Sequence, residues 1–451
     1  MRRSKYVFLA LTVAAVALVA VPASAGVAVT TTRVSVNSAG ASGNPCSGCS
    51  SNGSVSISAT GRFVAFDDNA PNLVEGDRNF RYDVFVRDRV RGQTTRVSVG
   101  STGAEGNDDS AFPSISANGR FVAFLSFASN LVPGDTNHRP DVFVRDLKRG
   151  KTTRVGVNSA GEEANDGSIW LPAISDNGRF VAFFSRSTNL VPNDHNGLAD
   201  FFVRDLRRGQ TTRVSVSSAE EEQIRGSGVE ELGIVPALSH NGRFVAFFSA
   251  SPNLVPNDHN GTDDIFVRDR KLGETTRVSV SSTGEEGNDT SLFYPSISPN
   301  GRFVAFTSWA SNLVAGDENG HHEDVFVRDR RKGVTTRIRE NNRSGFLYSG
   351  LPSISANGRF VAFESPAPDL VNGDRNQAVD VFLRDRKRGR TTLLSVSSEG
   401  TQGNSDSSFP VISANGRFVA FSSLASNLVE GDRHNTADTF VRGPLRPSGR
   451  F

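Results

Sequence analysis

Pro113-Ser-Ile-Ser-Ala-Asn-Gly-Arg-Phe-Val-Ala-Phe124 reads as two short strands joined by a tight turn at Asn118-Gly119. In the second strand Phe121 and Ala123 share one face while Val122 and Phe124 share the other, so both faces need cover. The hexapeptide Gly-Arg-Phe-Val-Ala-Phe occurs seven times, with its first phenylalanine at Phe63, Phe121, Phe180, Phe244, Phe303, Phe360 and Phe418. Neighbouring copies lie 58, 59, 64, 59, 57 and 58 residues apart, a period that marks a repeat architecture.

The rest of one unit supplies two more strands. After the hexapeptide, a long loop from Ser126 to Arg139 leads into Asp141-Val-Phe-Val-Arg-Asp146. A basic turn through Lys148, Arg149 and Gly150 then leads into Thr152-Thr-Arg-Val155. A lone four-stranded sheet cannot bury two apolar faces, whereas radially stacked sheets cover one another and protect their edges. The expected fold is therefore all-β: a seven-bladed β-propeller of four-stranded antiparallel blades. The 32 phenylalanines, against 4 tyrosines and 2 tryptophans, suit interblade packing because they bring no polar tip that needs a partner.

The chain ends predict how the ring closes. Six units finish in a Thr-Thr strand, at Thr94, Thr152, Thr211, Thr275, Thr335 and Thr391, but the seventh runs from Phe440 into Gly443-Pro-Leu-Arg-Pro. An unattached copy, Thr31-Thr-Arg-Val-Ser-Val36, precedes the first unit. It is expected to complete the last blade.

Residues 1–25 read as a signal peptide, with Arg2, Arg3 and Lys5 before an apolar run and Ala23-Ser-Ala25 at its end. The propeller is then expected over 26–442 and a tail over 443–451. Removing the signal leaves 47 basic side chains against 48 acidic ones, a balance that argues against nucleic acid as partner. No later apolar run is long enough for a membrane helix, so membrane insertion of the mature chain is not expected. A secreted or periplasmic monomer is the resulting expectation. Cys46 and Cys49 are the only cysteines, and in an oxidising compartment they read as a small local disulfide.

Pro-Ser-Ile-Ser-x-Asn-Gly-Arg-Phe-Val-Ala-Phe followed by Asp-Val-Phe-Val-Arg-Asp resembles the repeat of TolB-type propellers. That repeat has a Ser-Pro-Asp-Gly turn before an apolar strand, and the turn here reads Ser-Pro-Asn-Gly at Ser298–Gly301. The resemblance spans Val55 to Arg442. It implies the fold but little about function, because such propellers serve as binding proteins, scaffolds and parts of enzymes. TolB's additional N-terminal domain is not expected in this chain, so the partners of TolB itself are not implied.

One polar pattern recurs in the loop between the second and third strands: Asp77/Asn79/Asp83, Asp135/Asn137/Asp141, Asp194/Asn196/Asp200, Asp258/Asn260/Asp264 and Asp374/Asn376/Asp380. Irregular copies are Asp317/Asn319/Asp324 and Asp432/Asn435/Asp438. Two readings fit it. Two carboxylates, an amide oxygen and turn carbonyls would suit a hard cation such as calcium, although the invariant Gly and terminal Glu of an EF-hand are missing. Alternatively, Asp and Asn bond the loop's own amides as Asx-turns. Six of the seven histidines sit near these loops, where solvation is the simpler account.

Propeller topology would place these loops and the blade-to-blade connections on one rim, with the Asn-Gly and basic turns on the other. The first rim would then be acidic, as in Gly284-Glu-Glu-Gly-Asn-Asp289, and the second basic, as in Arg386-Lys-Arg388. Symmetry breaks at Ala219–Gly233 and from Arg339 to Tyr348, which are the candidate specificity segments. Nearly every other polar residue is repeated around the ring, while a single active centre needs an asymmetric set. No Gly-x-Ser-x-Gly elbow is present. The leading expectation is a non-enzymatic scaffold that binds a protein or glycan at its loop-rich rim, with calcium as a candidate cofactor. The alternative is a polysaccharide lyase or glycoside hydrolase with a metal in the central cavity. An enzyme should place blade-specific His, Glu or Arg around the channel.

Overall fold

The computed structural model describes residues 28–43, 53–226, 235–317, 322–338, 350–432 and 436–445. The expected signal peptide and the Cys46–Cys49 disulfide lie outside them. The described residues form seven four-stranded antiparallel sheets and no helix. Blade one comprises Val55–Ile57, Phe63–Asp68, Asp83–Asp88 and Gln93–Arg96, and the same order recurs in every blade.

Closure occurs where the repeat count placed it. Thr30–Arg33 pairs antiparallel with Asp438–Gly443, in the register Thr31 to Arg442 and Arg33 to Phe440. The last blade is thus ordered from the chain's opening strand inward to Ser407–Ile412. Its third strand extends one residue beyond the expected boundary, and Leu445 is buried with its amide donating to the Arg417 carbonyl at 2.6 Å.

Both faces of each second strand are covered, as the two-sided apolar pattern requires. Within a blade, the second phenylalanine stacks on the phenylalanine of the third strand. Phe66–Phe85 and Phe183–Phe202, for example, have ring centroids 5.8 and 5.7 Å apart. Between blades, the first phenylalanine packs against the turn glycine of the next. A methyl group on Gly119 would lie 2.1 Å from the Phe63 ring, and one on Gly301 would lie 2.1 Å from Phe244. These glycines also adopt positive φ, +74° and +71°, so the turn geometry and the neighbour's ring both exclude a side chain. The series closes on itself, since Phe418 of blade seven sits 2.3 Å from a Cβ placed on Gly61 of blade one.

The innermost strands differ from the sequence reading in one respect. In blade two the strand begins at Ser110 rather than Pro113, and its register shifts between Ala111 and Ser114. Pro113 has no amide to give to the ladder, so the strand bulges there with Phe112 at φ 58°. Beyond the bulge, serines link adjacent blades: the amide of Ile115 donates to Ser56 Oγ at 3.1 Å, and that of Ile174 to Ser114 Oγ at 3.1 Å.

Candidate functional site

On the rim that carries the long loops, the repeated carboxylates converge on an arginine from the fourth strand. Arg96 Nη1 lies 3.2 Å from Asp77, 3.2 Å from Asp83 and 2.9 Å from Glu105. Arg213 holds Asp194, Asp200 and Glu222 at 3.1, 3.2 and 2.9 Å, and Arg277 holds Asp258, Asp264 and Glu286 at 3.3, 3.2 and 2.8 Å. Arg337 pairs with Asp317 and Asp324. In the last blade the cation is Arg33 of the closing strand, 3.4 Å from Asp432 and 3.0 Å from Asp438. Asn319 and Asn435 lie outside the described residues.

The asparagine of the pattern serves the turn. Asn79 Oδ1 accepts the Arg81 amide at 3.0 Å, an Asx-turn, while its Nδ2 donates to Asp83 at 3.3 Å and to the Gly106 carbonyl at 2.9 Å. Asn137, Asn196 and Asn260 repeat these contacts, and Asn376 keeps the turn and the carbonyl contact. Each of these asparagines therefore presents hydrogens, not an oxygen, toward the carboxylates or the neighbouring connection. The other oxygen of the inner aspartate is met by a serine two residues past the fourth strand: Ser98 donates to Asp83, and Ser215 to Asp200 at 2.5 Å.

Burial dominates the electrostatics of this rim. Asp83, Asp200 and Asp264 are fully enclosed. Desolvation pushes Asp200 and Asp264 up to about 6, against the downward pull of the serine and the arginine. On the opposite rim, Arg62 grips Asp88 with two bonds, at 2.9 and 2.6 Å, while lying over the Phe63 ring at 4.7 Å. That hydrogen bonding holds the Asp88 carboxyl below the usual range.

Two blades depart from the scheme. In blade six the fourth strand carries Leu393 in place of arginine, and Gln402 replaces glutamate; its Nε2 donates to Asp374 at 2.8 Å and to Asp380 at 2.9 Å. In blade two Gly156 stands where the serine should be, so Asp141 Oδ1 is buried with no hydrogen-bond partner, and burial raises that carboxyl to about 7. Arg154 Nη1 also lies farther from Asp135 and Asp141, at 3.5 Å from each. Asp135, Asp141 and Glu163 each place one oxygen within 4.8 Å of the others, a grouping with the spacing to hold a metal ion. The geometry fits a metal poorly, however, because Arg154 pairs with all three carboxylates and Asn137 turns its NH2 toward Asp141.

The central passage encloses about 190 Å³ and is lined by the innermost strands, with Pro113, Pro172, Pro295, Pro352 and Pro410 among the lining residues and no charged side chain in the set. A rim groove of about 930 Å³ lies between blades three and four. Glu220, Glu221, Glu222 and His195 line it, as does Ile224, which is 68% exposed. It falls at the start of the symmetry-breaking Ala219–Gly233 segment, of which residues 227–233 lie outside the described residues, as does 339–349.

No family model and no curated protein matches the chain. Solved structures do. An oligogalacturonate lyase in complex with manganese is 11% identical with a TM-score of 0.53, covering 93% of this chain and 97% of its own. TolB from Acinetobacter baumannii is 17% identical with a TM-score of 0.41; the match covers 76% of this chain and 65% of TolB. The propeller domain of the Trilobed protease from Pyrococcus furiosus is 10% identical, with a TM-score of 0.49 over 82% and 90%. At these identities the likeness shows the propeller fold and no activity.

Proposed function

We propose that the chain is an exported, non-enzymatic propeller that binds a protein or glycan at its loop-rich rim, with the groove between blades three and four as the contact. The carrying observation is Ile224: a large apolar side chain 68% exposed in an acid-lined groove, at the point where the repeat is broken. An apolar side chain exposed within a concave polar groove offers a partner a surface to cover.

Calcium would have to displace the guanidinium in most of these loops. Melting with and without chelator separates the two accounts, because an ion that binds only the folded state raises the midpoint. Equal midpoints assign loop order to the arginines; a fall of several degrees would restore calcium. Binding itself is tested by affinity capture from the native extracellular fraction using the wild type and Ile224→Asp. Loss of one captured species in the variant supports the reading. Identical capture by both proteins, or turnover of an anionic oligosaccharide by the wild type, would overturn it.

A further inference from the structure

The opposite rim carries a charge concentration that the rim-binding reading does not use. Four of its six basic turns have two cations each, at Arg89 and Arg91, Lys148 and Arg149, Arg207 and Arg208, and Arg270 and Lys271. The turns of blades five and six have three each, Arg330-Arg-Lys332 and Arg386-Lys-Arg388. Each turn's aspartate is already engaged: Arg302 holds Asp329 at 2.9 and 2.7 Å, and Arg359 holds Asp385 at 2.9 and 2.6 Å. Each of these two turns therefore carries more cations than its own aspartate neutralises.

Lys332, Arg386 and Lys387 of these turns line a groove of about 780 Å³ between the two blades, in which Asp329 is the sole lining carboxylate. Lys332 and Lys387 line it and are exposed. Arg386 lines it too, bonded to neutral groups, the Gly358 carbonyl at 2.7 Å and Thr336 Oγ1 at 3.0 Å. Phe303, the aromatic ring of the lining, is covered by Arg302 at 4.6 Å and Arg386 at 5.6 Å. A covered ring offers no platform for stacking bases, which single-stranded nucleic acid uses.

From this charge and shape we infer that the groove between blades five and six binds an anionic polysaccharide, a flexible chain of carboxylate-bearing sugars, laid along Lys332, Lys387 and the flanking arginines. Lysine and arginine at a concave surface concentrate a polyanion, and salt weakens the attraction. This surface is separate from the Ile224 groove, so either proposal can fail alone.

The test is fluorescence anisotropy with a labelled alginate oligosaccharide at low salt. The combined variant Arg331→Glu, Lys332→Glu, Lys387→Glu, Arg388→Glu should bind on the order of tenfold more weakly or worse, with its circular dichroism and melting unchanged because these turn residues are exposed. A control with the same charge change, Lys148→Glu, Arg149→Glu, Arg207→Glu, Arg208→Glu, should lose less than about threefold, and Ile224→Asp should lose nothing. Rising salt should weaken wild-type binding steeply. Equal loss in the two charge variants would reduce the effect to net charge and overturn the site. Absence of alginate binding overturns it as well, as does preference for a single-stranded oligonucleotide or for anionic lipid vesicles.

Discussion

The two rims join their elements with the same ion pair, arginine to aspartate, yet bury it differently. On the loop-rich rim the carboxylates are enclosed and the arginine nearly so, as with Asp264 at 0% and Arg277 at 9% side-chain exposure. On the opposite rim the arginine faces solvent, as with Arg179 at 31% over Asp205 at 5%. A buried carboxylate without its cation is strongly destabilising, whereas a solvent-facing pair is screened and contributes little. The loop-rich rim is therefore held by charge neutralisation. The other is held by phenylalanine rings seated on glycine.

The sharpest break of that contrast is Arg277→Leu, which leaves Asp258, Asp264 and Glu286 without a shared cation. It should cost roughly 3–5 kcal/mol in denaturant unfolding. Blade six shows the compensation: adding Glu286→Gln to Arg277→Leu recreates its leucine and glutamine, and the double variant should recover most of the loss. Additive losses would refute the arginine's neutralising role.

Gly119→Ala probes the other rim. It forces a side chain into a positive-φ turn and onto the Phe63 ring, so a loss of about 2–4 kcal/mol is expected. A melting point equal to wild type would show that the ring packing is dispensable.

The smallest effect belongs to Asp141. Its folded-state carboxyl, raised to about 7 from an ordinary 3.8, takes up a proton more readily than in the unfolded chain. Its contribution to stability is therefore greatest below about pH 4 and falls as pH rises toward 7. Gly156→Ser returns the hydroxyl that Asp200 and Asp264 receive, once the carboxylate swings away from the new Cβ. It should add about 1 kcal/mol at pH 8 and almost nothing at pH 4. An equal gain at both values would separate the effect from ionisation.

The blades, their strand order and the closing strand were legible because apolar alternation and turn residues repeat with the chain. The candidate site was legible only in part. The Asp and Asn positions stand out, but the arginine that meets Asp83 is 13 residues away in the next strand, and Glu105 lies in the connection beyond. Periodicity does not reveal which side chains face one another. A signal was present nonetheless: in blade six, where arginine becomes Leu393, the matching glutamate becomes Gln402. The earlier start of the inner strands was hidden because Pro113 reads as a strand boundary, although here it marks a bulge.

Arg33 and Asp438 lie 405 positions apart in the chain and share one bond. During synthesis, Thr30–Arg33 is made long before its partner strand. Until the final blade emerges, Thr30–Arg33 has no edge to join, and the first and last sheets each leave one greasy flank bare. Sealing thus demands all seven blades: a chain cut short of the last one leaves both flanks bare, whereas pairing of Thr30–Arg33 with Asp438–Gly443 covers them.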